Sequence, residues 1–162
     1  MSIRDHFNQT TNLIYLALPR IVVGYYFLRV GMRKVNAETL SGHPLAEQLT
    51  RLTAMDPFSW HRDFIMGVVV PNSQLFAWLV AFGELAIGVS LVLGCLVRVS
   101  SAFGAFHNFN ILLAVGIPNG GAQIGVNLMF VVMQLMFLFS SPGRVLGLDS
   151  ILKKHFPRSW LF

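Results

Sequence analysis

Glu84 is one of only two fully charged side chains between Leu75 and Phe139, the other being Arg98. Arg98 stands where one apolar run gives way to the next, whereas Glu84 stands inside a run. A carboxylate among apolar residues is either neutralised or seeks a cation, because an unpaired buried charge is costly. Arg20 and Arg29, in the first apolar run, can both slide their heads along the helix toward it. Arg29, Asn110 and Asn127 fall at a depth similar to that of Glu84. His107 adds an imidazole whose ordinary pKa of about 6.5 suits proton exchange. Glu84 with an arginine is then either a buried ion pair that fixes helix register, or a ligand and proton site. In the second case the carboxylate accepts protons and the arginine binds an anion or a polar quinone head. The several polar groups at one depth favour the site.

Other chemistries are excluded. The single cysteine, Cys95, rules out an internal disulfide, a dithiol redox pair and an all-cysteine cluster within the chain. His6, His43, His61 and His155 lie outside the apolar runs, so His107 has no partner for axial haem ligation from this chain. No zinc spacing, glycine-rich phosphate loop or Ser-His-Asp motif is present. No haem or metal is expected, and a redox centre must come from a bound quinone or a partner protein. Asn108, Asn110, Asn127 and Gln134 also suit hydrogen bonds between helices, and Gly24, Gly31, Gly83, Gly88 and Gly104 suit close helix approach.

The elements that must position these residues are membrane spans. Hydrophobic residues make up 54% of the 162 and charged residues 12%, against about a quarter charged in soluble domains. Four apolar runs, about 13–31, 75–97, 99–116 and 124–139, each approach the roughly 20 residues that cross a bilayer. The expected fold is all-α: an integral membrane four-helix bundle, one domain over 1–162. The net charge of +5 does not indicate nucleic acid, because the basic residues flank the spans, where they set orientation. Arg4, Arg98, Arg144, Lys153, Lys154 and Arg158 place both termini in the cytoplasm. The connection over 35–74 is long and aromatic, with Leu45, Leu49 and Leu52 on one helical face, and reads as a structured periplasmic cap. Arg33, Lys34 and Arg62 would draw anions to its mouth. The tail over 141–162 starts at the helix stop Ser141-Pro142-Gly143 and carries Trp160 as an interfacial anchor.

Several segments together resemble the DoxX/DoxD family of small four-helix membrane proteins: WHRDFIMGVVVPN over 60–72, FGELAIG over 82–88, LGCLVR over 93–98, GVN over 125–127 and GLD over 147–149. Arg20, Gly24, Phe27, Gly31 and Lys34 fit the family's first helix. The resemblance implies a prokaryotic plasma-membrane protein. It further implies a DoxD-type subunit of thiosulfate:quinone oxidoreductase, in which thiosulfate electrons reduce a membrane quinone and a second, DoxA-like subunit is the partner. Arg20, Lys34, Glu84, Arg98 and Asn127 fill the family's polar positions. The expectation is a quinone-linked membrane subunit. Glu84 and His107 would handle protons; Arg29, Glu84, His107, Asn110 and Asn127 would hold the quinone; Arg33, Lys34 and Arg62 would receive the anionic substrate. The alternative is a non-catalytic structural subunit that fills a groove in a larger complex and holds lipid. A small-solute transporter with so few spans would need to be a homo-oligomer.

Overall fold

Four helices long and apolar enough to cross a membrane form the body of the chain. A computed structural model describes residues 10–162, which are mostly helical, with no strand among them. Arg4, one of the basic residues in the orientation argument, lies outside them. The long helices are α1 (Thr10–Lys34), α5 (Ser73–Leu93), α6 (Val97–Asn119) and α7 (Gly121–Ser140). Between α1 and α5 the cap folds as α2 (Ala37–Leu40), α3 (His43–Thr53) and α4 (Ser59–Phe64), the last running on into a π-helical turn over Ile65–Val69. The tail carries a 3-10 turn (Pro142–Arg144) and α8 (Asp149–His155).

The bundle is inverted relative to a soluble domain. Its buried core is thin (Val23, Phe27, Ile87, Leu91, Val97 and Phe137). Large apolar side chains such as Leu18, Tyr25, Phe103, Phe106, Val132 and Phe139 point outward over the spans. An apolar exterior of that extent matches hydrocarbon as solvent.

Glycines set the register of the tightest helix pair. A Cβ on Gly31 would lie against Leu85, one on Gly24 would meet Leu91 and Val92, and one on Gly88 would stand 2.6 Å from the backbone nitrogen of Leu28. Missing side chains on both helices thus let α1 and α5 touch backbone to backbone. The register has a consequence for height. Continued by one turn, it brings Lys34, the last residue of α1, alongside the turn of α5 that carries Glu84. The start of α5 then rises above the end of α1 by about nine residues, roughly 14 Å at 1.5 Å per residue.

The cap packs around that overhang. Asn36 caps α2 by accepting from the Thr39 N–H at 2.9 Å. Gly42, at φ 83, presses its backbone on Ser73 and Gln74, closer than any side chain would allow. Leu49 of α3 joins Ile65 and Val69 of the π turn in a second core, with Leu45 and Phe76 packed against it. Asp56 and His61 form a buried hydrogen-bonded pair beneath α4. The Phe58 N–H donates to Asp56 Oδ1 at 2.8 Å, and Arg62 donates to the Asp56 carbonyl at 2.7 Å.

At the other end α1 runs past α5 and meets the tail. Arg20, fully buried, donates to the carbonyls of Pro142 at 2.9 Å and Leu146 at 2.8 Å, and more weakly to Val145. Asp149 accepts from the N–H groups of Leu96 at 2.7 Å and Val97 at 3.0 Å, and so caps the start of α6. The tail also pairs by backbone with the end of α5, Leu148 to Leu93 and Asp149 to Gly94. Gly94 and Gly147 have no side chain, and a Cβ on either would strike Arg20.

Candidate functional site

Glu84 is buried, with 3% of its side chain exposed, at the centre of a polar group drawn from three helices. Lys34 Nζ donates to Oε1 at 2.6 Å, and His107 Nε2 stands 3.0 Å from the same oxygen. Oε2 is buried and has no hydrogen-bond partner among the described residues. Lys34 arrives from the C-terminal end of α1, where the helix dipole also favours a cation. His107 is steadied by the ring of Phe27, with centroids 6.2 Å apart.

A cavity of about 200 Å³ opens beside this group. Its polar wall is Lys34, Glu84, His107, Asn108, Gln123 and Asn127. Asn108 and Asn127 direct their amide N–H groups to carbonyls one turn back on their own helices, Gly104 and Gln123, at 2.8 Å each. Their side-chain oxygens are left as acceptors. The apolar lining includes three aromatic rings, Tyr26, Phe27 and Phe130. Tyr26 stacks on Phe130 at 4.8 Å, and Phe27 meets Phe130 edge-on at 6.0 Å. Near the cavity α6 widens into a π-helical turn, Leu112–Gly116, whose Val115 is part of the lining. Such turns insert an extra residue and re-aim side chains, and they recur at functional sites. A second hollow of about 140 Å³ lies between α1, the cap and α5, lined by Thr39, Gln48 and Ala77 among others. Lys34 lines both hollows.

Of the residues that the sequence singles out, Lys34, Glu84, His107 and Asn127 converge on the cavity. Arg29 is exposed and is not among the lining residues. Asn110 donates to the Phe106 carbonyl at 2.7 Å, away from the lining. Arg33 is exposed at the end of α1, and Arg62 braces the cap. Neither Arg20 nor Arg29 is the partner of Glu84: the register lifts Lys34 to its level and leaves Arg20 in the tail. Tyr26, Phe27 and Phe130 escape sequence reasoning because aromatic residues in a span read as lipid-facing or core. Asn108 and Gln123 offer only the polar signal of any interhelical amide. The Asp56–His61 pair carries no signal beyond two titratable residues five apart in a loop. Among the described residues no group of three His, Cys, Asp or Glu side chains comes together as a metal site would need.

A family model described as the thiosulfate:quinone oxidoreductase (TQO) small subunit DoxD matches residues 15–161. No match emerges among curated proteins or among solved structures.

Proposed function

Since the chain belongs to the DoxD family, we propose that it is the integral membrane subunit of a thiosulfate:quinone-type oxidoreductase, with the Glu84 cavity as its quinone-head site. One observation carries this reading. A buried carboxylate is held at Oε1 by a lysine and a histidine, while its other oxygen is unpartnered next to a cavity walled by aromatic rings.

The residues fit a quinone head. At about 200 Å³ the cavity lies below the roughly 300–1,000 Å³ of drug-sized pockets, which suits one ring and leaves the isoprenoid tail to the bilayer. Tyr26, Phe27 and Phe130 offer faces and edges for a flat ring, and Lys34 and His107 are donors for carbonyl oxygens. A quinone bound there supplies a two-electron, two-proton acceptor. Lys34 keeps Glu84 anchored and presents positive charge where negative charge would develop. Oε2, the oxygen that neither partner engages, is where the Glu84 carboxylate would take up and release a proton. His107, hydrogen-bonded to Oε1, is placed to pass protons to and from the carboxyl. The second hollow, on the far side of Lys34, gives protons an approach from the cap side. The electrons come from a partner subunit that joins two thiosulfates into tetrathionate, releasing the two electrons a quinone accepts. Arg33 and Arg62 lie on the cap side, where they can attract that anion. The subunit sits in a prokaryotic plasma membrane with cap periplasmic and termini cytoplasmic, supported by the concentration of Arg98, Arg144, Lys153 and Lys154 at the tail end.

The test is thiosulfate-dependent quinone reduction by the intact complex carrying Glu84→Gln, a change that preserves shape. Loss of a positioned proton carrier lowers turnover by about a hundredfold, while quinone still binds and the complex still assembles. Unchanged turnover would sink the proton role. It would favour the alternative of a non-catalytic scaffold subunit, for which the outward apolar face of α7 (Leu128, Val132, Leu135 and Phe139) offers a docking surface.

A further inference from the structure

Cations crowd the tail end of the molecule, remote from Glu84. Arg98, in the first turn of α6, donates to the Trp160 carbonyl at 2.6 Å. Lys153, in α8, donates to the Ser159 carbonyl at 2.7 Å. Arg144, in the 3-10 turn, donates to the main-chain oxygen of Phe162. Three positive charges from three elements thus converge on the single segment 159–162. The Trp160 and Ser159 carbonyls orient Arg98 and Lys153 and neutralise neither. The acid acting on Arg98 and Arg144 is Asp149, but both its oxygens already accept backbone N–H groups, and Arg20 shares it as a counter-charge, so one carboxyl faces three arginines. The Nε atoms of Arg98 and Arg144 are buried with no hydrogen-bond partner among the described residues. Lys153 holds its proton less tightly than usual, through desolvation and then through the charges of Arg144 and Arg98.

The surroundings show what anion would answer this excess. Leu146, Ile151, Phe156 and Trp160 are all more than half exposed. They form an apolar collar at the level where α5 ends and α6 begins, which is headgroup depth for spans of this length. Guanidinium groups pair readily with phosphate oxygens, and an interfacial helix with apolar and basic sides lies on an anionic bilayer surface. A free phosphate could use the cations but not the collar. We propose that Arg98, Arg144 and Lys153 form a binding site for the phosphate group of an anionic membrane lipid, which completes the charge balance of the tail.

The experiment uses the full chain in a neutral detergent and follows its melting temperature and lipid affinity. The probes are phosphatidylglycerol, phosphatidylcholine and inorganic phosphate. Phosphatidylglycerol is expected to raise the melting temperature and phosphatidylcholine to leave it unchanged. Lys153→Gln is expected to weaken phosphatidylglycerol binding about fivefold, the worth of one cation near a membrane surface, with Lys153→Arg restoring it. Lys154→Gln removes the same charge one residue along, from an exposed side chain outside these contacts, and should leave binding nearly unchanged. Equal stabilisation by the two lipids would overturn the site. So would equal weakening by the two glutamine variants, the mark of diffuse attraction. Protection by inorganic phosphate matching that of phosphatidylglycerol would assign the cations to a soluble anion and overturn the lipid.

Discussion

Lys34 and Glu84 are a cation and an anion that depend on each other for burial. The carboxylate is 3% exposed and the lysine 31%, so the lysine keeps some hydration and the carboxylate almost none. Removing the lysine leaves a buried charge with only His107 to answer it. Loss of one partner from such a pair costs about 3–5 kcal/mol, whereas replacing both partners by neutral groups is often nearly neutral. Lys34→Met is therefore expected to destabilise the protein by about 3 kcal/mol, and the double variant Lys34→Met with Glu84→Gln to recover most of it. A chemical or thermal unfolding series in detergent, read as a double-mutant cycle, measures this. Additive losses would mean that the two side chains do not act as a pair.

Between α1 and α5 the same small residue has opposite consequences according to what it faces. Gly88 meets Leu28 at backbone distance, so Gly88→Ala forces the two helices apart and should cost about 1–3 kcal/mol. Gly83, five residues earlier on α5, has nothing within 4 Å of a Cβ. Gly83→Ala should therefore gain about 0.5–1 kcal/mol from helix propensity alone. Melting curves of the two variants should move in opposite directions, and a parallel shift would refute the register. The four spans and the apolar face of α3 are legible in the sequence, because both follow from residue type and period. Relative height is not legible: an apolar run states how long a helix is and says nothing of how far it slides along its neighbour. Lys34 therefore reads as a loop residue at the mouth of the bundle, when the glycine contacts carry it down to Glu84. The two π turns, at Ile65–Val69 and Leu112–Gly116, are equally silent, since no residue pattern in their sequences marks an extra residue per turn.

At the scale of the whole molecule, Arg20 joins the beginning of the chain to its end. Its partners are backbone carbonyls more than 120 residues away, and carbonyls have no residue type for a sequence pattern to reveal. The same contact compensates Asp149. Burial raises the affinity of Asp149 for its proton above the ordinary carboxyl range, while the Val97 and Leu96 N–H groups, then Arg20 and Arg144, pull it back down. The folded value remains raised, so the native state takes up this proton more readily than the unfolded chain. The stability contributed by Asp149 is therefore full below the ordinary carboxyl pKa and is lost as the pH rises through the folded value. Arg20→Met removes the three carbonyl contacts and one of the two cations that oppose the burial effect. Tail docking is expected to weaken by about 3 kcal/mol at pH 7, with trypsin then cutting at Arg144 and Lys153 while the Lys34–Glu84–His107 group stays assembled. The folded pKa of Asp149 rises further in this variant, so its extra loss extends to higher pH than in the parent. The deficit relative to the parent should accordingly shrink as the pH falls from 7 through the variant's raised folded value, because a protonated Asp149 no longer needs the missing charge. Melting temperatures of parent and variant across that range decide the point: a deficit independent of pH would mean that Arg20 holds the tail through its carbonyl contacts alone and does not compensate Asp149.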